Sequence, residues 1–113
     1  MNLDHIKISE KAKWQLIKVK MKTGIEHWNI LCRWAFCLSL VSDSPPSPAK
    51  IPLDSNVEMT WKIFGGEHHE VYLALLKHRC HKDGRDDLVS EFRLHLHRGI
   101  GMLSSLYRKK DRP

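Results

Sequence analysis

Lys11, Lys13, Lys18, Lys20 and Lys22 place five ammonium groups within twelve residues, the densest chemically capable set in the sequence. Groups this close together can neutralise neighbouring phosphates of a nucleic acid and release the counterions condensed there. Such contacts fix a protein on the backbone and read no base sequence. The plain alternative is a solvated face. Lys7 stands between His5 and Ser9 in "HIKIS" and would enter a groove if two such strands paired, or else lie on a solvent-facing edge. The whole-chain balance points the same way as the lysines. A formal charge of +6 and a pI near 9.4 favour a polyanionic partner over an acidic one.

The other reactive residue types are less well arranged. Eight histidines include the neighbours His68 and His69, the cluster His78, Cys80 and His81, and the pair His95 and His97. Helical metal ligands need a spacing of three or four, which only His78 and His81 offer, and no CxxC or HExxH pattern supports them. Ordinary buried or surface histidines are expected instead. Cys32, Cys37 and Cys80 are an odd set without a disulfide framework, which suits a reducing cytoplasm. They sit in or beside apolar runs, where nothing activates a thiolate. Gly99 and Gly101 lack the third glycine of a nucleotide fingerprint and fit close helix packing better. No nucleophile–base arrangement stands out, so no catalytic residue, cofactor or metal ligand is assigned.

These residues must be positioned by elements that a chain of 113 residues can build, which is room for a single domain. Its 42% hydrophobic and 28% charged content is ordinary for a soluble globular protein. The start, "MNLDHIKISEKAK", mixes charges and lacks the apolar core of a signal peptide. Ile6 and Ile8 alternate with polar neighbours as in a short strand, and Ser9 caps a helix with Glu10 in its first turn. That helix carries two apolar stripes: Ala12, Leu16 and Val19 on one side, Trp14, Ile17 and Met21 nearly opposite, with lysines filling the gaps. Two stripes imply contact with the core and with something else. Gly24 ends the helix.

The next helix, "WNILCRWAFCLSL" (28–40), is apolar all the way round, with Asn29 and Arg33 its only strongly polar members. It is shorter than the roughly 20 apolar residues a bilayer span needs, and Arg33 opposes insertion. A helix buried on every side in so small a domain implies an oligomer with this helix at its centre. Arg33 then needs a carboxylate or several carbonyls, with Glu67, Glu70 or an acid of another subunit as partners; at a groove it would meet phosphate.

Four prolines in "SDSPPSPAKIP" break the chain into a linker or loop. "VEMTWKIF" (57–64) alternates as a strand or extended arm, stopped by Gly65-Gly66. Helices are expected over "EHHEVYLALLKHRCHKD", ending before Gly84, and from about Asp86 to Tyr107. Leu88, Phe92, Leu96, Ile100 and Leu103 form the apolar stripe of the second. Arg93, Arg98, Arg108, Lys109 and Lys110 would add to a basic surface. The expected organisation is mainly α: strand–helix–helix over 1–41, a Pro-rich linker over 42–53, an extended segment with two helices over 54–107, and a basic tail over 108–113.

A short strand followed by two helices around a "TG" turn resembles the ribbon-helix-helix group of DNA-binding dimers, in which strands of two chains pair and second helices bury each other. "NILCRWAFCLSL" (29–40), "YLALLKHRCHKDG" (72–84) and "FRLHLHRGIG" (92–101), with the "KTG" turn and the strand before "FGGE", resemble the DndE family more specifically. The similarity runs from about Ile6 to Leu103. It implies DNA phosphorothioation, with a cysteine desulfurase, an iron–sulfur sulfurtransferase-like protein and an ATPase as partners. It further implies a DNA-binding homo-oligomer, dimer or tetramer, that recognises nicked duplex. Glu26 stands where a ribbon-helix-helix protein would hold a phosphate, and its charge would repel one. Two other readings remain. A sequence-specific repressor would read bases with His5, Lys7 and Ser9. A metal-dependent nickase would need Glu67, Glu70, Asp86 and Asp87 with an ion such as Mg²⁺.

Overall fold

The alternation of "HIKIS" yields a strand of only two residues, β1 (Ile6–Lys7), because Ser9 turns the chain into a helix. The Ser9 hydroxyl accepts the Ala12 N–H at 3.0 Å, so α1 (Glu10–Thr23) begins with one orphan donor satisfied. Asp54 takes the Glu10 N–H at 2.8 Å. Gly24 closes α1 in the left-handed region, φ 76°, with its N–H on the Lys20 carbonyl. α2 (Trp28–Val41), β2 (Glu58–Met59), α3 (Trp61–Gly65), a 3-10 turn (Gly66–His68), α4 (His69–Asp83) and α5 (Leu88–Lys109) follow. This computed structural model describes residues 3–109. The chain is mainly helical, with one small antiparallel sheet in which Ile6 faces Met59 and Lys7 faces Glu58. Among the described residues, no helix is long and apolar enough to cross a membrane.

The expected extended arm over 57–64 needs correction. Only Glu58–Met59 is strand, and Thr60 then caps α3 by accepting the Ile63 N–H at 3.2 Å. Helical spacing brings Trp61 and Phe64 to the same inner side, while Ile63 stays 56% exposed. A strand would have turned Trp61 and Ile63 to one face. Burial of Phe64 in an aromatic cluster wins over the alternation. Its ring centroid lies 5.7 Å from Phe36, 5.0 Å from Phe92 and 5.0 Å from Trp61.

The core lies where α2 runs along α5. α2 contributes Leu31, Cys32, Ala35 and Phe36; α5 contributes Phe92, Leu96, Ile100 and Leu103. Gly99 makes the approach possible, since a Cβ there would stand 1.7 Å from the Ala35 carbonyl oxygen. Gly101, by contrast, faces open space. α1 packs on α5 through Ala12, Leu16 and Val19. Within one chain α2 is not buried all round: Ile30 is 41% and Val41 80% exposed on the side away from α5.

The Pro-rich stretch forms neither helix nor strand, yet it is tied down at both ends. Arg79, only 6% exposed, donates to the carbonyls of Leu40, Ser42 and Ser44 and to the Asp83 carboxylate at 2.6–2.9 Å. Arg98 donates to the Ser39 and Ser44 carbonyls, each at 2.9 Å. Two guanidinium groups thereby satisfy the chain end of α2. At the far end the Ser55 hydroxyl donates to the Ile8 carbonyl at 2.7 Å.

Candidate nucleic-acid interface

On α1 each residue advances about 100° around the axis, so Lys11, Trp14, Lys18, Met21 and Lys22 share one face. The buried stripe of Ala12, Leu16 and Val19 holds that face outward. Together with Tyr107 from α5 they line a groove of about 620 Å³. Trp14 is 56% and Met21 80% exposed in it, and Lys11, Lys18 and Lys22 are exposed around them. Tyr107 is braced from behind by Trp34, edge-on at 5.9 Å. The result is a cleft with an apolar, aromatic floor and three cations at its rim.

The remaining lysines of the expected set lie elsewhere. Lys20 is half-buried with its ammonium 4.1 Å from the Trp28 ring centroid, where it helps seat α2 against α1. Lys13 pairs with Glu10 at 3.8 Å and borders a second hollow that also holds Glu26 and Glu58. Those carboxylates weaken the pull on a phosphate there. Lys7 stands opposite Glu58 in the sheet, beside the His5–Glu58 contact of 3.1 Å. The six lysines therefore divide into three along the cleft and three placed around Glu10, Glu58 and Trp28.

Several other sequence-derived positions prove structural. Ser9 is buried, and its N–H is accepted by His97 Nε2 at 3.1 Å, so neither group can reach a base. The side chain of Arg33 donates to the Phe64 carbonyl at the end of α3, while Glu67 lies 3.3 Å from His68. Arg98, expected on a basic surface, is spent on the Ser39 and Ser44 carbonyls. Asp87 caps α5 by accepting the Ser90 N–H at 3.1 Å. Lys110 lies outside the described residues, as do the side chains of Arg108 and Lys109. Burial pushes the Cys32 thiol up to about 12 and Cys80 up to about 11, and raises Cys37 as well. All three thiols stay protonated at neutral pH and are poor nucleophiles. Among the described residues, no three His, Cys, Asp or Glu side chains gather to hold an ion.

Tyr107 was invisible as a site residue in the sequence, because it stands 85 positions beyond Lys22 and only the packing of α5 on α1 brings it there. The family model described as "DNA sulphur modification protein DndE" matches residues 5–111. The chain belongs to the DndE family. Among solved structures it resembles DndE from Escherichia coli B7A, described as involved in DNA phosphorothioation modification. That match has 28% identity and a TM-score of 0.75, covering 91% of this chain and 98% of that one. A G21/24K mutant of DndE, 24% identical with a TM-score of 0.67, covers 90% of this chain and 99% of its own, and shares the fold. No curated protein matches the chain.

Proposed function

We propose that this DndE-family protein is the non-catalytic DNA-binding component of a phosphorothioation system. It would hold duplex DNA by its backbone, prefer nicked duplex, and present it to the sulfurtransferase-like protein and ATPase in the cytoplasm. The observation that carries this reading is the α1 face, where Lys11, Lys18 and Lys22 ring an exposed indole and, among the described residues, no acid lines the cleft. Phosphates follow a concentrated cationic rim, and stacked bases need an exposed aromatic surface. The exposed apolar side of α2, with Ile30 and Val41, supports assembly of several copies.

Equilibrium binding to matched intact, nicked and single-stranded DNA over a range of salt tests the proposal. Tighter binding to nicked duplex, a steep salt slope and little sequence preference are expected. Equal weak binding to all three would reduce the lysine face to a solvated surface. A parallel incubation with supercoiled plasmid and Mg²⁺ should leave the plasmid closed; conversion to open circle would make the protein a nickase.

A further inference from the structure

Charge alone explains Lys11, Lys18 and Lys22 but not the floor between them. Trp14 is more than half exposed on a helix whose Leu16 and Val19 are buried and whose Met21 borders the same cleft. The indole and the neighbouring Met21 form an apolar surface whose burial by a ligand would be favourable. Intact duplex cannot cover it with a free base face, because its bases are stacked on one another and show only their edges in the grooves. A base at a chain break or flap can, since it has one free face and little stacking to lose.

We infer that the cleft takes one unstacked nucleobase, which lies on the Trp14 indole between Met21 and the Tyr107 wall. Lys11, Lys18 and Lys22 meet the phosphates on either side of that base. This rests on the proposed DNA-binding role and gives it a physical basis for preferring breaks. Lys13, 5.8 Å from the Trp14 ring centroid and paired with Glu10, leaves the indole exposed. Every base has a π-face, so the cleft selects for the unstacked state and not for sequence. Charge complementarity commits the cleft to a nucleotide: three lysines around a small aromatic floor suit a base with its phosphates better than the apolar surface of another chain.

The test measures affinities of the full-length protein for intact duplex, nicked duplex and duplex with a one-base 5′ flap carrying 2-aminopurine, for wild type, Trp14→Ala and Trp14→Phe. Wild type should bind flapped and nicked DNA more tightly than intact DNA and quench the 2-aminopurine. Trp14→Ala should lose about tenfold on the flapped substrate and little on intact duplex, with an unchanged salt slope and no quenching. Trp14→Phe should retain most of the preference, which a folding defect would not. If wild type binds duplex with a steep salt slope yet ignores the flap, the stacking cleft is wrong while the DNA-binding role stands. If wild type binds no DNA, both fall. A Trp14→Ala protein that sediments as a smaller particle with its DNA preference intact would assign the cleft to a second copy and overturn the inference.

Discussion

Lys18 and Lys20 stand two positions apart on α1 and do different work. Lys18 is exposed at the rim of the cleft, whereas Lys20 sits over Trp28. Lys18→Ala should weaken DNA binding equally on all sequences and lower the salt slope by about one, read by anisotropy titration. Lys20→Ala should instead cost about 0.5–1 kcal/mol of stability, read by urea unfolding, with a smaller effect on DNA. The histidines act at the same scale. His95 is fully buried, its Nδ1 2.8 Å from the Ser39 hydroxyl, which also accepts from Arg98 Nε at 2.9 Å. Burial and the two neighbouring guanidinium groups favour the neutral ring. Burial first, then the Arg79 and Arg98 charges, pushes His95 from 6.5 down to about 4. Between those values the unfolded chain binds more protons than the folded one. Stability is thus full above about pH 6.5 and falls as pH drops toward about 4. The loss attributable to this residue is on the order of 3 kcal/mol. His97 is shifted down by burial too and adds to the same slope. Urea unfolding from pH 4 to 8 should show the decline, and His95→Gln should flatten it; an unchanged slope would refute the assignment.

Helix ends and helix contacts decide the next scale. Gly99→Ala gains helix propensity yet drives a methyl into the Ala35 carbonyl, and the overlap at 1.7 Å dominates. A loss of about 3 kcal/mol is expected, read as a lower urea midpoint. Gly101→Ala, facing open space, should be neutral or slightly stabilising. These contrasts explain what was legible beforehand. The ends of α1 were readable because Ser9 and Gly24 cap it through groups only a few residues away. The α5 stripe from Phe92 to Leu103 was readable because one period runs through it. The strand expected over 57–64 was not, because alternation and helical spacing both fit Trp61 to Phe64 until the aromatic cluster chooses. Arg98 looked like surface charge in sequence, since its carbonyl partners lie 54 and 59 positions away. The lysines were found as a set, but their division into rim and seat depends on Trp28 and Glu10, which only the packed helices reveal.

Across the whole molecule, the basic face and the exposed apolar side of α2 lie on different helices, so assembly and DNA contact need not compete. Sedimentation at micromolar concentration should give a dimer or larger particle, and Val41→Asp should shift it toward monomer; a monomeric wild type would remove α2 as an interface. The net charge of +6 favours a polyanionic partner in general, whereas Lys11, Lys18 and Lys22 concentrate positive charge on one face. The decisive measurement compares the salt dependence of duplex binding for wild type, a Lys11→Ala, Lys18→Ala, Lys22→Ala variant, and a Lys13→Ala, Lys20→Ala variant. The triple change should lower the slope of log K against log salt by about 2.7, and the double change by less than one. Equal losses per lysine in both variants would mean that diffuse charge, and not the α1 cleft, holds the DNA.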